Sequence, residues 1–175
     1  MRPADTIIRQ TTHGLTGRIL QGGIRDVGTA NPHHVDVIVL CAEELQFEKG
    51  DPFLDEFEEI IRAPNDDAVL TRQQLAIAVS AAHKVVEHFK RGKTILVTCA
   101  QGRNRSGLVN AMALHMITGR PGKECIAIIQ KCRENALTNP WFNRFLDQIP
   151  EKRRQSKRYH NLLRLAVQGK YEEGD

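Results

Sequence analysis

Residues 93–112 read KTILVTCAQGRNRSGLVNAM, and this stretch decides the fold of the chain. Its first part, Thr94 to Thr98, is a short apolar and β-branched run, which predicts a buried strand. An apolar run of helix-forming length begins at Leu108 and continues to Ile117. Between the two runs lie Cys99 and, six positions later, Arg105. The stretch therefore predicts a strand, a tight loop and a helix, with a thiol where the strand ends and a guanidinium where the helix begins.

This order of elements suits the binding of a phosphate group. A helix N-terminus has unpaired N–H groups and the positive end of the macrodipole, and a loop ahead of it can turn further amides towards an anion. Gly102 permits the backbone angles that such a loop needs, and the planar guanidinium of Arg105 can bind two phosphate oxygens. The same positive groups favour the thiolate of Cys99, which is then a nucleophile for phosphorus. Ser106 can donate a hydrogen bond to that thiolate when it leaves. The predicted phosphate-binding segment is Ala100, Gln101, Gly102, Arg103 and Asn104.

The spacing of cysteine and arginine is a weak signal when taken alone, because it also arises by chance. The alternative interpretation is a buried structural cysteine beside a loop arginine. Of the four cysteines in the chain, however, only Cys99 has an arginine six residues later. The added Gly102, Ser106 and Gly107, with a strand before them and a helix after them, favour the catalytic interpretation.

The segment Cys99-Ala-Gln-Gly-Arg-Asn-Arg105-Ser106-Gly107 resembles the signature loop of the cysteine-based protein tyrosine and dual-specificity phosphatases. A looser resemblance extends from about Ile19 to about Ile149. The resemblance implies a cysteinyl-phosphate mechanism without metal or cofactor. The family usually has a histidine directly before the cysteine, which helps to hold the loop and to tune the thiol, and this chain has Thr98 there. That departure concerns the rate of the reaction more than its type.

A phosphate ester needs a proton for its leaving oxygen, and a carboxylic acid on a loop can supply it. The run Pro64-Asn65-Asp66-Asp67 has the residues of a loop. In the resembled family this acid is an Asp about thirty residues before the cysteine. Asp66 and Asp67 precede Cys99 by 33 and 32 residues, so both fit. The Asn-Asp pair favours Asp66 as the acid, with Asp67 as a neighbouring substrate-binding residue. Either carboxylate could instead cap the following helix, although Thr71-Arg-Gln-Gln74 already has the pattern of a capping box.

The remaining pattern predicts an α/β fold with a central, mainly parallel sheet of about four to five strands flanked by helices, similar to a dual-specificity phosphatase. Apolar residues recur at helical spacing from Thr71 to Arg91, and this helix leads into the strand before Cys99. Further strands are predicted around Ile7, Arg18–Gly23, Val35–Cys41 and Ile60–Ile61, and a further helix at Lys123–Asn135. Near the end of the domain, Trp141, Phe142 and Phe145 are predicted to be core residues.

Length and composition agree with one catalytic domain over residues 1–150. The chain has 175 residues, 41% of them hydrophobic and 26% charged, with a net charge of +4, which suits an anionic substrate. No run of 18 apolar residues predicts a membrane span, and no N-terminal leader is evident, so we expect a cytoplasmic protein. Four irregularly spaced cysteines predict neither disulfides nor a zinc site.

The last segment, residues 151–175, has a different character. Five of the seven residues from Lys152 to Arg158 are basic, and an amphipathic run follows them. One interpretation is a surface for an anionic partner such as nucleic acid, and the other, which we favour, is a solvated helix or tail. The oligomeric state cannot be read from the sequence.

The sequence thus predicts a phosphatase that acts on phosphotyrosine, and on phosphoserine or phosphothreonine, in proteins. Two alternatives keep the same loop: an RNA 5′-triphosphatase or other non-protein phosphatase, and a phosphate-binding module with little catalysis, for which Thr98 is the main support. A sulfur-transferring rhodanese-like domain also has a cysteine in a looped anion site. The Arg-Ser-Gly ending of the loop and the aspartate at the right distance disfavour it.

Overall fold

The structure is a computed structural model that describes residues 4–12, 15–24, 34–48 and 50–152. The described strands are β1 (Asp5–Thr12), β2 (Leu15–Gly23), β3 (Val37–Ala42), β4 (Glu59–Asn65) and β5 (Thr94–Cys99). The described helices are α1 (Arg72–Lys90), α2 (Arg105–Thr118), α3 (Gly122–Cys132) and α4 (Pro140–Asp147), with a 3-10 helix at Pro52–Glu56. Most of the segment 151–175, with its basic run, lies outside the described residues.

The five strands form one sheet in the order β1-β2-β5-β3-β4. Strands β2, β5, β3 and β4 are parallel, and only β1, at one edge, runs antiparallel to its neighbour β2. The predicted mainly parallel sheet of about four to five strands is therefore confirmed, with five strands. Strand β5 is central, and all six of its residues are buried, so the loop that follows it begins in the middle of one sheet edge.

The two faces of the sheet are covered differently. All four α-helices contribute to the larger core cluster, which takes the side chains of alternate strand residues such as Val39, Ile95 and Val97. The other face carries Leu20, Ile38 and Leu96, and in the described part of the chain these pack with residues of the segment before β4 and its 3-10 helix rather than with an α-helix. Helices thus cover one face, and an aromatic-rich segment closes the other.

Several local predictions agree with the structure. Thr71 caps α1 with the predicted capping box, in which its side chain accepts from the Gln74 amide and the Gln74 side chain accepts from the Thr71 amide. Gly92, with φ +79°, follows the end of that helix. Phe142 and Phe145 are core residues, at 0% and 1% exposure.

Other local predictions were wrong. Trp141 is 45% exposed, because in the first turn of α4 it lies at the margin of the face on which Phe142, Phe145 and Leu146 are buried. Pro64 and Asn65 belong to β4, because the edge strand continues to Asn65 and the loop starts only at Asp66. Helix α3 ends at Cys132 instead of Asn135, since Arg133 is already extended. No helix in the described ranges is long and apolar enough to span a membrane.

Candidate active site

Three parallel strands bring the candidate residues together at their carboxyl ends. Cys99 is the last residue of β5, Glu44 follows β3 by two positions, and Asp67 follows β4 by two positions. Because these strands are neighbours in the order β5-β3-β4, the three loops meet at one edge of the sheet. The start of α2 closes the site, since only residues 100–104 separate it from Cys99.

Cys99 is held at the base of this site. Its side chain is buried, with 4% exposure, and its Sγ lies 3.4 Å from the Oγ of Ser106 in the first turn of α2. A hydroxyl at this distance can stabilise a thiolate by donating a hydrogen bond. Thr98, in the position before the cysteine, is also buried, and its hydroxyl donates to the Cys99 carbonyl oxygen at 3.4 Å.

Arg105 is fixed by a carboxylate from a neighbouring loop. Its Nη1 and Nη2 donate to the two carboxylate oxygens of Glu44, at 2.5 and 2.8 Å, and Nη1 also donates to the Asn65 carbonyl at 3.3 Å. The Nε–H of Arg105 is buried and has no hydrogen-bond partner among the described residues. Nη2 also carries a second hydrogen on the side of Nε, so one edge of the guanidinium can still bind a pair of oxygens.

The ion pair changes the protonation of both partners. The hydrogen bond from Arg105 lowers the pKa of Glu44 and outweighs the raising effect of its burial. Burial lowers the pKa of Arg105, but its hydrogen bond to Glu44 and the charges of Cys99, Glu44 and Asp67 outweigh that effect and raise the pKa overall. Both side chains are therefore charged at neutral pH, and Glu44 holds Arg105 in one orientation.

The loop between Cys99 and Arg105 passes very close to strand β2. Gly102 has φ +64°, and a Cβ on it would lie 2.2 Å from the carbonyl carbon of Gly22. No residue with a side chain fits this approach without moving the backbone. The predicted need for a glycine at this position agrees with the geometry.

Two buried polar residues that sequence analysis did not identify support the loop from below. Gln21, at the end of β2 and 0% exposed, donates from Nε2 to the carbonyl oxygens of Gly102 and Arg103, at 3.1 and 3.4 Å. Asn110, within the apolar helix α2, donates to Gln21 Oε1 at 3.0 Å and so orients its amide. A polar residue inside an otherwise apolar strand or helix is the signal that could have revealed both, because buried polar groups need partners.

A third supporting residue, Arg133, comes from the end of α3. It is 6% exposed, donates from Nη2 to the Gln101 carbonyl at 3.0 Å, and pairs through Nη1 with Asp5 of β1 at 2.9 Å. The carbonyl oxygens of residues 101, 102 and 103 are thus bound from outside the loop. Outward-pointing carbonyls leave the loop amides free to point inward, as an anion site requires.

The N-terminus of α2 is not capped by a side chain, although Asn104 occupies the capping position. The Oδ1 of Asn104 instead accepts from the amides of Thr138 and Asn139, at 2.7 and 3.2 Å. Its Nδ2 donates to Asp67 at 3.0 Å. The first amides of α2 therefore lack the side-chain oxygen that usually binds them at a helix start.

The two candidate acids are placed differently. Asp67 accepts from Nδ2 of Asn104 and Nδ2 of Asn139, at 3.0 and 2.9 Å, so its carboxylate lies against the loop. Both residues are exposed, but the carboxylate of Asp66 accepts from the amide of Asp67, at 2.7 Å, and not from the loop. The assignment of the acid to Asp66 stays a prediction, and the contacts favour Asp67.

A second cysteine, Cys41, lies on the strand next to Cys99. Burial raises the pKa of the Cys41 thiol well above its usual value, and the charge of Cys99 raises it further, against a lowering effect of Arg105. Cys41 therefore stays protonated at neutral pH. Among the described residues, no group of three or more His, Cys, Asp or Glu side chains is arranged to hold a metal ion.

The structure brings together most of the predicted site residues. Cys99, Arg105, Ser106 and Gly102 form its base, while Asn104 and Asp67 form one wall. The side chains of Gln101, Arg103 and Asp66 are exposed, and Ala100 is half-buried.

This architecture is that of the dual-specificity and tyrosine phosphatase fold. Tk-PTP in its active form superposes with a TM-score of 0.64 at 20% identity, covering 89% of this chain and 100% of its own. Human DUSP28 gives 0.64 at 19% identity, covering 89% of this chain and 100% of its own. PTPMT1, solved in complex with PI(5)P, gives 0.61 at 19% identity, covering 75% and 88%. No protein-family model matches the chain, and no curated protein sequence matches it.

Proposed function

We propose that the chain is a phosphatase that hydrolyses phosphomonoesters through a cysteinyl-phosphate, with phosphotyrosine and also phosphoserine or phosphothreonine in proteins as its substrate class. The likeness in fold to Tk-PTP, PTPMT1 and human DUSP28 supports phosphatase chemistry in general. The site residues of this chain support the particular mechanism, which needs no cofactor or metal.

One observation carries the proposal. Arg105 is buried and fixed by Glu44, yet its Nε–H has no partner among the described residues, and it lies in a helix whose N-terminus has no side-chain cap. A buried, unpaired N–H of a charged group costs free energy, and a bound dianion would satisfy it. Cys99 lies at the base of the same loop, within contact of Ser106. A phosphate bound by Arg105 and the loop amides would therefore lie over the sulfur.

The steps follow from this arrangement. Cys99 as thiolate attacks phosphorus, so that an S–P bond forms while the P–O bond to the leaving group breaks. An aspartic acid gives its proton to the leaving oxygen, and we now assign this role to Asp67, with Asp66 as the alternative. Water then attacks phosphorus, the same carboxylate takes its proton, and the sulfur leaves with a hydrogen bond from Ser106. Arg105 and the amides of residues 100–105 stabilise the charge that develops on the equatorial oxygens.

The mechanism is tested with an aryl phosphate in buffer that contains a chelator. We expect Cys99→Ser to abolish hydrolysis while phosphate still binds, and Asp67→Asn to lower kcat by about 10²-fold or more, with a smaller effect of Asp66→Asn. A Cys99→Ser protein that kept normal hydrolysis would refute the proposal. A larger loss in Asp66→Asn than in Asp67→Asn would return the acid to Asp66.

Assays of phosphate binding and of phosphate release from phosphopeptides and triphosphate-ended RNA separate the alternatives. A wild-type protein that binds phosphate tightly but releases no product would be a phosphate-binding module. Faster release of the γ-phosphate from triphosphate-ended RNA than of phosphate from phosphopeptides would favour an RNA triphosphatase.

A further inference from the structure

One polar cavity beside the phosphate site has an aromatic side chain in its wall. It has a volume of about 370 Å³, and it opens between the loop after β4, the start of α2 and the start of α4. Its lining residues are Asp67, Ala68, Asn104, Thr138, Asn139, Pro140 and Trp141. Two of them, Asp67 and Asn104, also belong to the candidate active site, so the cavity adjoins the place where a phosphate would react.

Trp141 is exposed but well anchored. Pro140 begins α4, and the Oδ1 of Asn139 accepts from the Trp141 amide at 2.9 Å, which fixes the backbone at the helix start. The next residue, Phe142, is 0% exposed and ties the same turn to the core. Trp141 is nevertheless 45% exposed. Trp141 therefore lies on a fixed backbone beside the cavity, and its large aromatic side chain is partly open to a ligand there.

Asn139 connects this surface to the candidate acid. Its Oδ1 caps α4 and its Nδ2 donates to Asp67 and to the carbonyl of Ala68, at 2.9 and 3.1 Å. One side chain thus contacts both the backbone of Trp141 and the carboxylate of Asp67. A substrate group that contacts Trp141 would be oriented relative to the proton donor.

The charge of the cavity limits what can bind there. Its lining has one carboxylate, that of Asp67, and no lysine, arginine or histidine. A nucleic acid would bring further phosphates into this negative, cation-free environment, which is unfavourable. An uncharged aromatic or apolar side chain has no such penalty, and an aromatic ring can stack against or edge onto the indole.

We propose that this cavity is a substrate subsite in which Trp141 binds an aromatic or large apolar side chain close in sequence to the phosphorylated residue of a protein substrate. The proposal rests on the proposed phosphatase function and adds a sequence preference to it. Trp141 is here a specificity-determining residue, because it contacts the substrate away from the reacting phosphorus.

The test measures selectivity with matched phosphopeptides. The reference peptide has alanine at the two positions before and the two positions after the phosphorylated residue. Each peptide of the other set has phenylalanine in place of one of these alanines. We expect at least one phenylalanine position to raise kcat/KM of the wild type by about fivefold or more over the alanine peptide. That ratio should fall to about one in Trp141→Ala and be largely retained in Trp141→Phe.

Val69→Ala is the matched control. Val69 is also a large apolar residue, 43% exposed and two positions after Asp67, but it does not line the cavity. It should leave the ratio unchanged. An equal ratio in the wild type and Trp141→Ala would overturn the proposal, as would a stronger effect of Val69→Ala. Triphosphate-ended RNA turned over in preference to both peptides, with the same dependence on Trp141, would overturn the assignment to a protein substrate.

Fluorescence gives an independent readout, because Trp141 is the single tryptophan of the chain. In Cys99→Ser, which should bind substrate without turnover, the phenylalanine peptide should shift tryptophan emission in a saturable way. The alanine peptide and inorganic phosphate should shift it much less, and identical titrations would refute the subsite. If wild-type protein hydrolyses neither peptide set, the proposed function itself fails; if it hydrolyses both sets equally, only the subsite fails.

Discussion

At the scale of single residues, the site depends on how one guanidinium is held. Glu44 binds the two terminal nitrogens of Arg105 and leaves the Nε edge for an anion. The acidic stretch after β3 contains no local signal for this role, because Glu44 and Arg105 are 61 positions apart. Only the fold, which places β3 beside β5, brings the two residues together.

We expect Glu44→Gln to lower kcat/KM for an aryl phosphate by about 10²-fold, because Arg105 is no longer held in the orientation that its charge-assisted bonds fix. Glu43→Gln, the neighbouring exposed carboxylate, is the control and should be close to wild type. Steady-state kinetics with both variants measures the effect. Equal rates in wild type and Glu44→Gln would show that Arg105 keeps its position without this carboxylate.

A second residue-scale prediction concerns Gly102. Gly102→Ala would combine a strained φ of +64° with a Cβ 2.2 Å from the Gly22 carbonyl carbon, so the loop has to move. We expect kcat to fall by about 10²-fold, since displacement of about 1 Å misaligns the loop amides. The loss of kcat should be larger than any loss of stability explains. Steady-state kinetics measures kcat, and urea unfolding followed by circular dichroism measures stability.

Gly50→Ala separates the two causes. Gly50 has φ +91°, but a Cβ added to it would have nothing within 4 Å, so it shares the strain and lacks the contact. The substitution should cost about 1 kcal/mol of stability and leave activity unchanged. If Gly102→Ala behaved like Gly50→Ala, the close approach to β2 would not matter for the loop.

At the scale of elements, the hydrophobic periodicity predicted where helices and strands lie better than it predicted which side chains are exposed. Helix α1 begins at its predicted capping box, and β5 and α2 lie on either side of the loop as expected, because short-range patterns determine them. Trp141 was misplaced for a different reason. Its neighbours Phe142 and Phe145 are buried, and Trp141, four residues before Phe145, lies in the first turn at the margin of that buried face, where it is 45% exposed. Aromatic composition alone cannot show which side of a short helix is buried.

Helix α2 also carries a pH-sensitive group near its C-terminus. His115 is 1% exposed, and its Nδ1 lies 2.5 Å from the Arg120 carbonyl oxygen. Burial lowers the pKa of His115, with Lys152 adding to this effect and the contact with Arg120 opposing it. The folded state therefore favours the neutral ring, and the unfolded state binds a proton more readily.

The sign of the resulting prediction follows directly. The contribution of His115 to stability is complete above the unfolded pKa of about 6.5 and is lost as the pH falls from there towards the lowered folded value. Between pH 7.5 and 5.5 we expect the free energy of unfolding of the wild type to drop by more than that of His115→Asn. Urea unfolding at both pH values measures this difference. A parallel drop in the two proteins would assign the pH dependence to other groups.

At the scale of the whole molecule, the loop is supported from three separate parts of the fold. Gln21 reaches it from β2, Asn110 supports Gln21 from α2, and Arg133 reaches it from α3 while pairing with Asp5 of β1. These contacts join residues between 32 and 128 positions apart, so no local pattern could reveal them. The central loop was predictable because its chemistry lies in nine consecutive residues, whereas its support is distributed over the chain.

The pair formed by Arg133 and Asp5 allows stability and catalysis to be separated. Asp5→Ala would leave the charge of Arg133, whose side chain is 7% exposed, without its carboxylate, and we expect a loss of about 3 kcal/mol in the free energy of unfolding. Arg133→Met removes the buried charge itself and keeps a long apolar side chain, so it should cost less stability. It also removes the hydrogen bond to the Gln101 carbonyl, and kcat should therefore fall more in Arg133→Met than in Asp5→Ala. Asp5→Ala should thus be the less stable variant and Arg133→Met the slower enzyme. Urea unfolding and steady-state kinetics on both variants test this. If the variant that is less stable were also the slower enzyme, Arg133 would act through the general stability of the fold, and its contact with the loop would have no separate role in catalysis.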